Sequence, residues 1–282
     1  MTRHGNVDRK TVEGFGEEWA RFDQSAVSDA ELKELFEAYF SLFPWTELPS
    51  GAVGMDAGCG SGRWARFVAP RVKVLHCVDA SERALAVARN ALSSSGNCVF
   101  HHASVDAIPI PDASLDYVYS LGVLHHVPDT AAALAACVAK LKPGAPLLLY
   151  LYYALENRPS AYRLLWRASD FGRRVISRLP LGLRLLASQV IAITVYYPLA
   201  RLARLVEALG LPAEGFPLAF YRRRSFATMR TDAFDRFATR LEHRFTRAQV
   251  LKLMQDAGLD GIKFREDPPY WCALGRRRRV AN

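Results

Sequence analysis

The chain has 282 residues, half of them hydrophobic and 23% charged, which allows a sizeable core and excludes a disordered or low-complexity protein. Its five cysteines are scattered, odd in number and without metal-ligand spacing. That pattern excludes a disulfide framework and a structural zinc, and points to free thiols in a reducing, cytoplasmic compartment. The net charge of +9 sits late in the chain: residues 154–244 hold 16 arginines and no lysine against 7 acidic residues.

The N-terminus is polar, and no secretory leader is expected. "GFGEEWARF", residues 14–22, sets three aromatics before any obvious core and reads as a lid strand or short helix, with Trp19 facing an acceptor pocket. "SDAE" at 28–31 is a capping box, Ser28 with Glu31, opening a helix with Leu32, Leu35, Phe36, Tyr39 and Phe40 on one face. Residues 1–50 therefore read as a helical arm or lid.

From Ala52 the pattern alternates. Apolar runs at 53–57, 72–78, 98–102, 115–121 and 146–152 read as strands, with helices at 62–68, 82–92 and 130–141, the last capped by Asp129. Near-continuous apolar strands between helices predict a parallel α/β sheet covered on both faces, a Rossmann-like three-layer sandwich.

Residues 154–244 break the rhythm as a helical insert or substrate cap, with helices at 162–177, 183–197 and 199–209. Residues 185–200 carry no charge but fall short of the roughly 20 residues of a membrane span, so a buried bundle helix is expected. The flanking Arg173, Arg174, Arg178, Arg184, Arg201 and Arg204 leave shallow contact with a membrane surface open. The alternation then resumes with a helix capped by Thr246 and strands at "GIKF" and "YWCALG". Residues 51–153 and 245–276 thus form one domain, and the residues beyond Gly275 read as a frayed tail.

"AVGMDAGCGSGRW", residues 52–64, is a strand, a glycine-rich turn and a helix start, a geometry that aims backbone N–H groups at a ligand. Two ligand classes compete. A dinucleotide turn needs glycine at its first, third and sixth positions, but the sixth here is Arg63. Asp56 beside the turn would repel a pyrophosphate and suit an ammonium or sulfonium group. Asp79, ending the second strand, can accept both hydroxyls of a ribose from either class; capping the next helix is its structural alternative.

With "CVDAS" one strand later and "ASVDAIPIPDASLDYVYSLGVLHHVPD" beyond it, this stretch resembles the class I S-adenosylmethionine-dependent methyltransferases, in particular their small-molecule group. The resemblance covers roughly residues 50–152 and resumes at 246–275. It implies a seven-stranded sheet whose last strand is antiparallel. It also implies Gly58, Gly60 and Gly62 along the methionyl side with Cys59 between them, Asp56 beneath, and Asp79 with Ala80 at the ribose. Ser104, Val105 and Asp106 would then flank the adenine, and Leu121 and Gly122 would face the sulfur. The insert has no counterpart in the family's minimal pattern.

On the acceptor side, His125 and His126 follow the fourth strand, and Tyr152 and Tyr153 leave the fifth; a base or positioning role for His125, His126 or Tyr152 is the catalytic expectation. Asn157, Tyr221 and Arg222 are placed to complete a small-molecule acceptor pocket. No metal is expected, since the histidines form no ligand set with carboxylates. Methyl transfer to a small-molecule, lipid-like or natural-product acceptor is the leading function. Other uses of the same cofactor (aminocarboxypropyl transfer or ring closure, releasing methylthioadenosine) and a non-catalytic binding subunit stay open, and Arg63 disfavours a nicotinamide dehydrogenase. Nucleic acid is not expected, because the basic residues are spread through apolar helices rather than forming a stripe. The oligomeric state is not legible.

Overall fold

In a computed structural model, which describes residues 5–213 and 215–279, the chain divides into two units. The first comprises residues 1–20, 32–156 and 241–282, and the second residues 21–31 and 157–240.

The first unit is a seven-stranded sheet in the order β3-β2-β1-β4-β5-β7-β6. Strands β1 (Val53–Ala57), β2 (Val74–Asp79), β3 (Cys98–His102), β4 (Tyr117–Leu121) and β5 (Pro146–Tyr150) are parallel neighbours. β7 (Cys272–Arg277) runs antiparallel to β5 and to β6 (Leu259–Phe264), the expected seven-stranded arrangement. Alternation along the central strands feeds two cores. Met55, Val118, Leu147 and Leu149 pack on one side, toward α5 (Thr130–Lys140) and α10 (Arg247–Asp256). Tyr117, Tyr119 and Leu148 pack on the other with residues of α2 (Asp29–Tyr39), α3 (Ala65–Val68) and α4 (Glu82–Ala91). Both faces are thus covered, which explains the near-continuous apolar strands. The tail is not frayed at Gly275: β7 continues to Arg277, and Arg276 bonds Glu47.

Of the expected lid strand or short helix at 14–22, residues 14–21 lie within a helix, α1 (Arg9–Arg21), which ends before Phe22. At Ser28 the expected capping box is only half formed. The Ser28 hydroxyl accepts the Glu31 N–H at 3.3 Å, but the Glu31 carboxylate reaches instead to Ser225 N and Thr228 Oγ1, at 3.1 and 2.7 Å. Those residues begin α9 (Phe226–Ala238), which Ser225 caps, so a buried carboxylate braces the cap of a helix almost two hundred residues downstream.

The second unit is helical. Beside α9 it holds α6 (Ser160–Ile176), α7 (Leu181–Ile191) and α8 (Tyr197–Ala208). A π-helical turn over Ala192–Tyr196 joins α7 to α8. Leu181–Ala208 is therefore one 28-residue helix, longer than the sequence suggested and, by length and composition, long enough to cross a membrane. Its inward seam consists of Ser188, Ala192, Tyr196, Ala200 and Ala203, set against Met229, Ala233 and Phe237. Only that seam is buried; the rest of the segment is not the buried bundle helix expected.

Candidate active site

The carboxyl ends of β1, β2 and β4 bring together the glycine turn, Asp79, and Leu121 with Gly122. This is where ligands bind in open parallel sheets. The turn's amides do not point outward as an anion site requires. Gly58 and Cys59 donate to the Val78 carbonyl at 2.8 and 3.0 Å, and Gly62 donates to the Cys59 carbonyl at 2.9 Å. Gly60 donates to Asp79 Oδ2 at 2.9 Å. Four of the five N–H groups of "GCGSG" thus end on protein acceptors, and α3 beyond them is only four residues long. That argues against a phosphate cradle and corrects the expectation that these amides face the ligand.

Close approach is what the glycines provide. Gly58 has φ +88°, and a Cβ there would lie 2.3 Å from Val123 Cγ1. Gly122 has φ +80° and nothing within 4 Å of where a Cβ would stand, a cradle open to a ligand.

Two carboxylates sit at this turn with different neighbours. Asp56 is 1% exposed and accepts the Tyr119 hydroxyl at 2.9 Å; burial, reinforced by the negative Asp79, pushes its carboxyl up to about 8. Asp79 is half-buried. Burial raises its carboxyl too, opposed by the N–H groups of Ser81 and Gly60. The capping alternative for Asp79 goes to Ser81, whose side chain caps α4. Ala80 follows, its carbonyl accepting His102 Nε2 at 3.0 Å.

On the next rim, Ser104 Oγ and the Asn6 N–H both donate to the Asp106 carboxylate. Burial works to raise that carboxyl, but these two bonds hold it below the usual range. Val105 is buried between them in sequence. Asn6 also bonds Asp129 reciprocally, through Nδ2 to its carbonyl and Oδ1 from its N–H, at 2.6 and 2.8 Å. α1 lies across the turn: a Cβ on Gly60 would meet Trp19 Nε1 at 2.9 Å, and the Phe15 ring is 4.9 Å from that of His126.

His125, His126 and Tyr152 cluster beyond β4 and β5. The His125 ring lies 3.9 Å from that of Tyr152 and 4.0 Å from that of His126. His125 is wholly buried and its two ring nitrogens bond nothing; burial, with His126, Arg244 and His243 nearby, pulls it well below the usual histidine range, so it is neutral. His126 Nδ1 lies 2.7 Å from the Leu241 carbonyl. A carbonyl only accepts, so Nδ1 carries the proton and Nε2 is the basic nitrogen.

The segment 241–245 was missed in the sequence. Its backbone runs along the cluster, His243 N donating to the His125 carbonyl at 2.9 Å and Phe245 N to that of Tyr152 at 2.8 Å. The Arg244 guanidinium lies 5.1 Å over the Tyr152 ring and pairs with the buried Glu242 at 2.8 Å. Its only signal was two charges in "LEHRF" just where the sheet pattern resumes.

Of the other acceptor-side residues, Tyr153 contacts Tyr270 and Trp271 within the first unit. Asn157, Tyr221 and Arg222 belong to the second unit. There Tyr221 packs on Tyr196, and Arg222 Nε donates to Glu207 at 2.9 Å. Among the described residues no group of three or more His, Cys, Asp or Glu could hold a metal ion.

Residues 55–149 match a protein family described as a methyltransferase domain. A ubiquinone biosynthesis O-methyltransferase of Aromatoleum aromaticum is 33% identical over 54% of this chain and 64% of its own length. Its namesake from Thiobacillus denitrificans is 29% identical over 74% of this chain and 85% of its own. A solved S-adenosylmethionine-dependent methyltransferase of Mesorhizobium loti shares the fold, with TM-score 0.52 and 18% identity over 87% of this chain and 100% of that one.

Proposed function

We propose that this chain, whose residues 55–149 match a methyltransferase domain, is a class I S-adenosylmethionine-dependent methyltransferase that methylates a hydroxyl of a small, largely apolar acceptor. The observation that carries the cofactor side is the turn whose amides are turned inward, leaving close backbone approach beside two carboxylates. With Asp56 held protonated by burial, the Asp79 carboxylate is the charge that favours a cation here, and the inward amides leave a phosphate without donors. The bound cofactor supplies a sulfonium methyl open to in-line displacement.

Around it, Gly58, Cys59, Gly60 and Gly62 would line the methionyl portion, Asp79 and Ala80 the ribose, and Ser104, Val105 and Asp106 the adenine. Leu121 and Gly122 would border the reacting centre, where the space at Gly122 fits a ligand atom. Asp56, buried beneath the turn, would act through Tyr119 and the turn rather than by contact. Trp19 would close the site over Gly60 and exclude water.

The hydroxyl reading draws on the relatives named O-methyltransferases of ubiquinone biosynthesis. A hydroxyl needs its proton removed as it attacks, and His126 Nε2 is the candidate base, its ring fixed by the Leu241 carbonyl. His125 and Tyr152 would wall the pocket and hold that ring, and the remaining barrier would fall through proximity and desolvation. The test is incubation with S-adenosylmethionine and a panel of mono- and dihydroxyphenols, with and without prenyl tails, followed by mass spectrometry. S-adenosylhomocysteine with an acceptor heavier by one methylene supports the reading; methylthioadenosine as the nucleoside product overturns it.

A further inference from the structure

α6 carries two leucines, Phe171 and Val175 on the outside and the buried Asp170–Arg173 ion pair on the inside, where Ile176 also packs. Leu164, Leu165, Phe171 and Val175 are 68, 56, 72 and 49% exposed. Their helical spacing, continued by the exposed Ala161 and Ala168, sets them on one stripe. The opposite side holds Asp170, Arg173 and Ser177, all buried. Arg173 Nε donates to Asp170 Oδ1 at 2.8 Å and its Nη1 to the Thr239 carbonyl at 3.0 Å. Arg236 stands 3.7 Å from the same carboxylate. An amphipathic helix that buries its ion pairs has its apolar partner elsewhere.

The long helix behaves alike. Its inward seam is made of small residues and one tyrosine, while Leu183, Leu186, Val190, Ile193, Leu202 and Leu205 are exposed.

The rim of this apolar face has one sign. Arg163, Arg167 and Arg174 recur along one edge of the α6 stripe and Arg178 follows two residues past the helix end; all are exposed, and Arg174 also donates to Asp170 at 3.0 Å. The only acidic residue of α6, Asp170, is turned inward. Arg173, which the sequence placed among the membrane-facing arginines, belongs to the buried network instead. A second copy of the same face would bring like-charged arginine rows together. An anionic bilayer meets both demands, with acyl chains for the stripe and phosphates for the guanidinium row.

We propose that this arginine-edged apolar face of the second unit docks on an anionic lipid bilayer, α6 lying in the plane of the headgroups. The inference does not rest on the methyl-transfer reading, and it is tested without turnover. The full chain is sedimented with phosphatidylcholine vesicles, with and without about one-third phosphatidylglycerol. Binding to the anionic vesicles alone is expected, with release in about 1 M salt.

Leu164→Ser/Phe171→Ser should weaken binding at least about tenfold by removing buried apolar area, and Arg167→Gln/Arg178→Gln by about fivefold per arginine. Circular dichroism and S-adenosylmethionine binding should stay at wild-type levels in both variants. Failure of the folded chain to bind anionic vesicles, or equal binding by wild type and both variants, overturns the proposal. So does self-association that Leu164→Ser/Phe171→Ser abolishes in a chain that ignores vesicles. Resistance to both salt and alkaline extraction would mean a spanning helix and overturns it equally.

Discussion

The carboxylate of Asp79 is tied to the backbone of Gly60: Oδ2 accepts the Gly60 N–H at 2.9 Å while Oδ1 accepts that of Ser81 at 2.8 Å. The residue read as a ribose acceptor therefore also fastens the end of β2 to the glycine turn of β1. Asp79→Ala should accordingly have two effects. It should lower S-adenosylmethionine affinity by about 10- to 100-fold through the lost charge-assisted bonds. It should also lower stability without ligand by about 1–3 kcal/mol, because two amides lose their acceptor. Asp79→Asn, which keeps an acceptor oxygen, should recover part of the second loss and little of the first. Calorimetric titration and urea melts separate the two, and unchanged calorimetric affinity in Asp79→Ala would remove the ribose assignment.

His126 and His125 are adjacent but chemically unlike. His126→Asn can still donate to the Leu241 carbonyl yet has no basic nitrogen, so kcat should fall by about 10²- to 10⁴-fold with cofactor affinity unchanged. His125 is neutral in the fold and protonates freely once unfolded, so the unfolded state gains protons below its ordinary value near 6.5. Stability should fall as pH drops below that point, by up to about 1.4 kcal/mol per pH unit. His125→Phe should flatten this acid limb. Denaturant midpoints at a series of pH values measure the slope, and a limb as steep in His125→Phe as in wild type would contradict the neutral assignment.

The sheet was legible because its central strands are covered on both faces, so Val53–Ala57, Tyr117–Leu121 and Pro146–Tyr150 stand out as largely apolar runs. α1 was legible only as one of two readings, strand or short helix, because the positions it buries are Thr11, Gly16 and Glu18, which leave no apolar period. For α6 the period gave the helix but not which side faces in. A leucine–phenylalanine stripe is read as the buried side, and only the geometry of Asp170 and Arg173 shows that the polar side faces in. The glycine turn itself was legible, but the destinations of its amides depend on Val78 and Asp79 in another strand, which no local pattern reports.

Asp56 gives a pH dependence of the opposite sign. Burial raises its carboxyl to about 8, so between its unfolded value near 4 and that point the folded state holds a proton the unfolded state has lost. Stability should therefore decline as pH rises across this window, by at most about 1.4 kcal/mol per unit. Asp56→Asn, which can still accept the Tyr119 hydroxyl, should remove that decline and melt higher than wild type at pH near 8. A wild-type minus Asp56→Asn difference that does not change with pH would show that the carboxyl titrates normally.

Gly58 and Gly122 have similar positive φ angles but opposite surroundings, which makes them a matched pair. At Gly58 a Cβ would stand 2.3 Å from Val123 Cγ1, so Gly58→Ala combines an unfavourable backbone region with a collision and should cost about 3 kcal/mol or more. Val123→Ala in the same chain should return part of that loss by clearing the collision, leaving the strain of φ +88°. At Gly122 no atom lies within 4 Å of the added carbon, so Gly122→Ala should cost only about 1–2 kcal/mol of backbone strain. Its methyl group, however, would enter the space assigned to the cofactor's reacting centre. Gly122→Ala should thus stay folded and lose S-adenosylmethionine binding by about tenfold or more, the cost of filling a tight contact. Thermal melts with calorimetric titration read both quantities. A Gly122→Ala chain that binds the cofactor as tightly as wild type would mean that the space beyond β4 belongs to something other than the sulfonium.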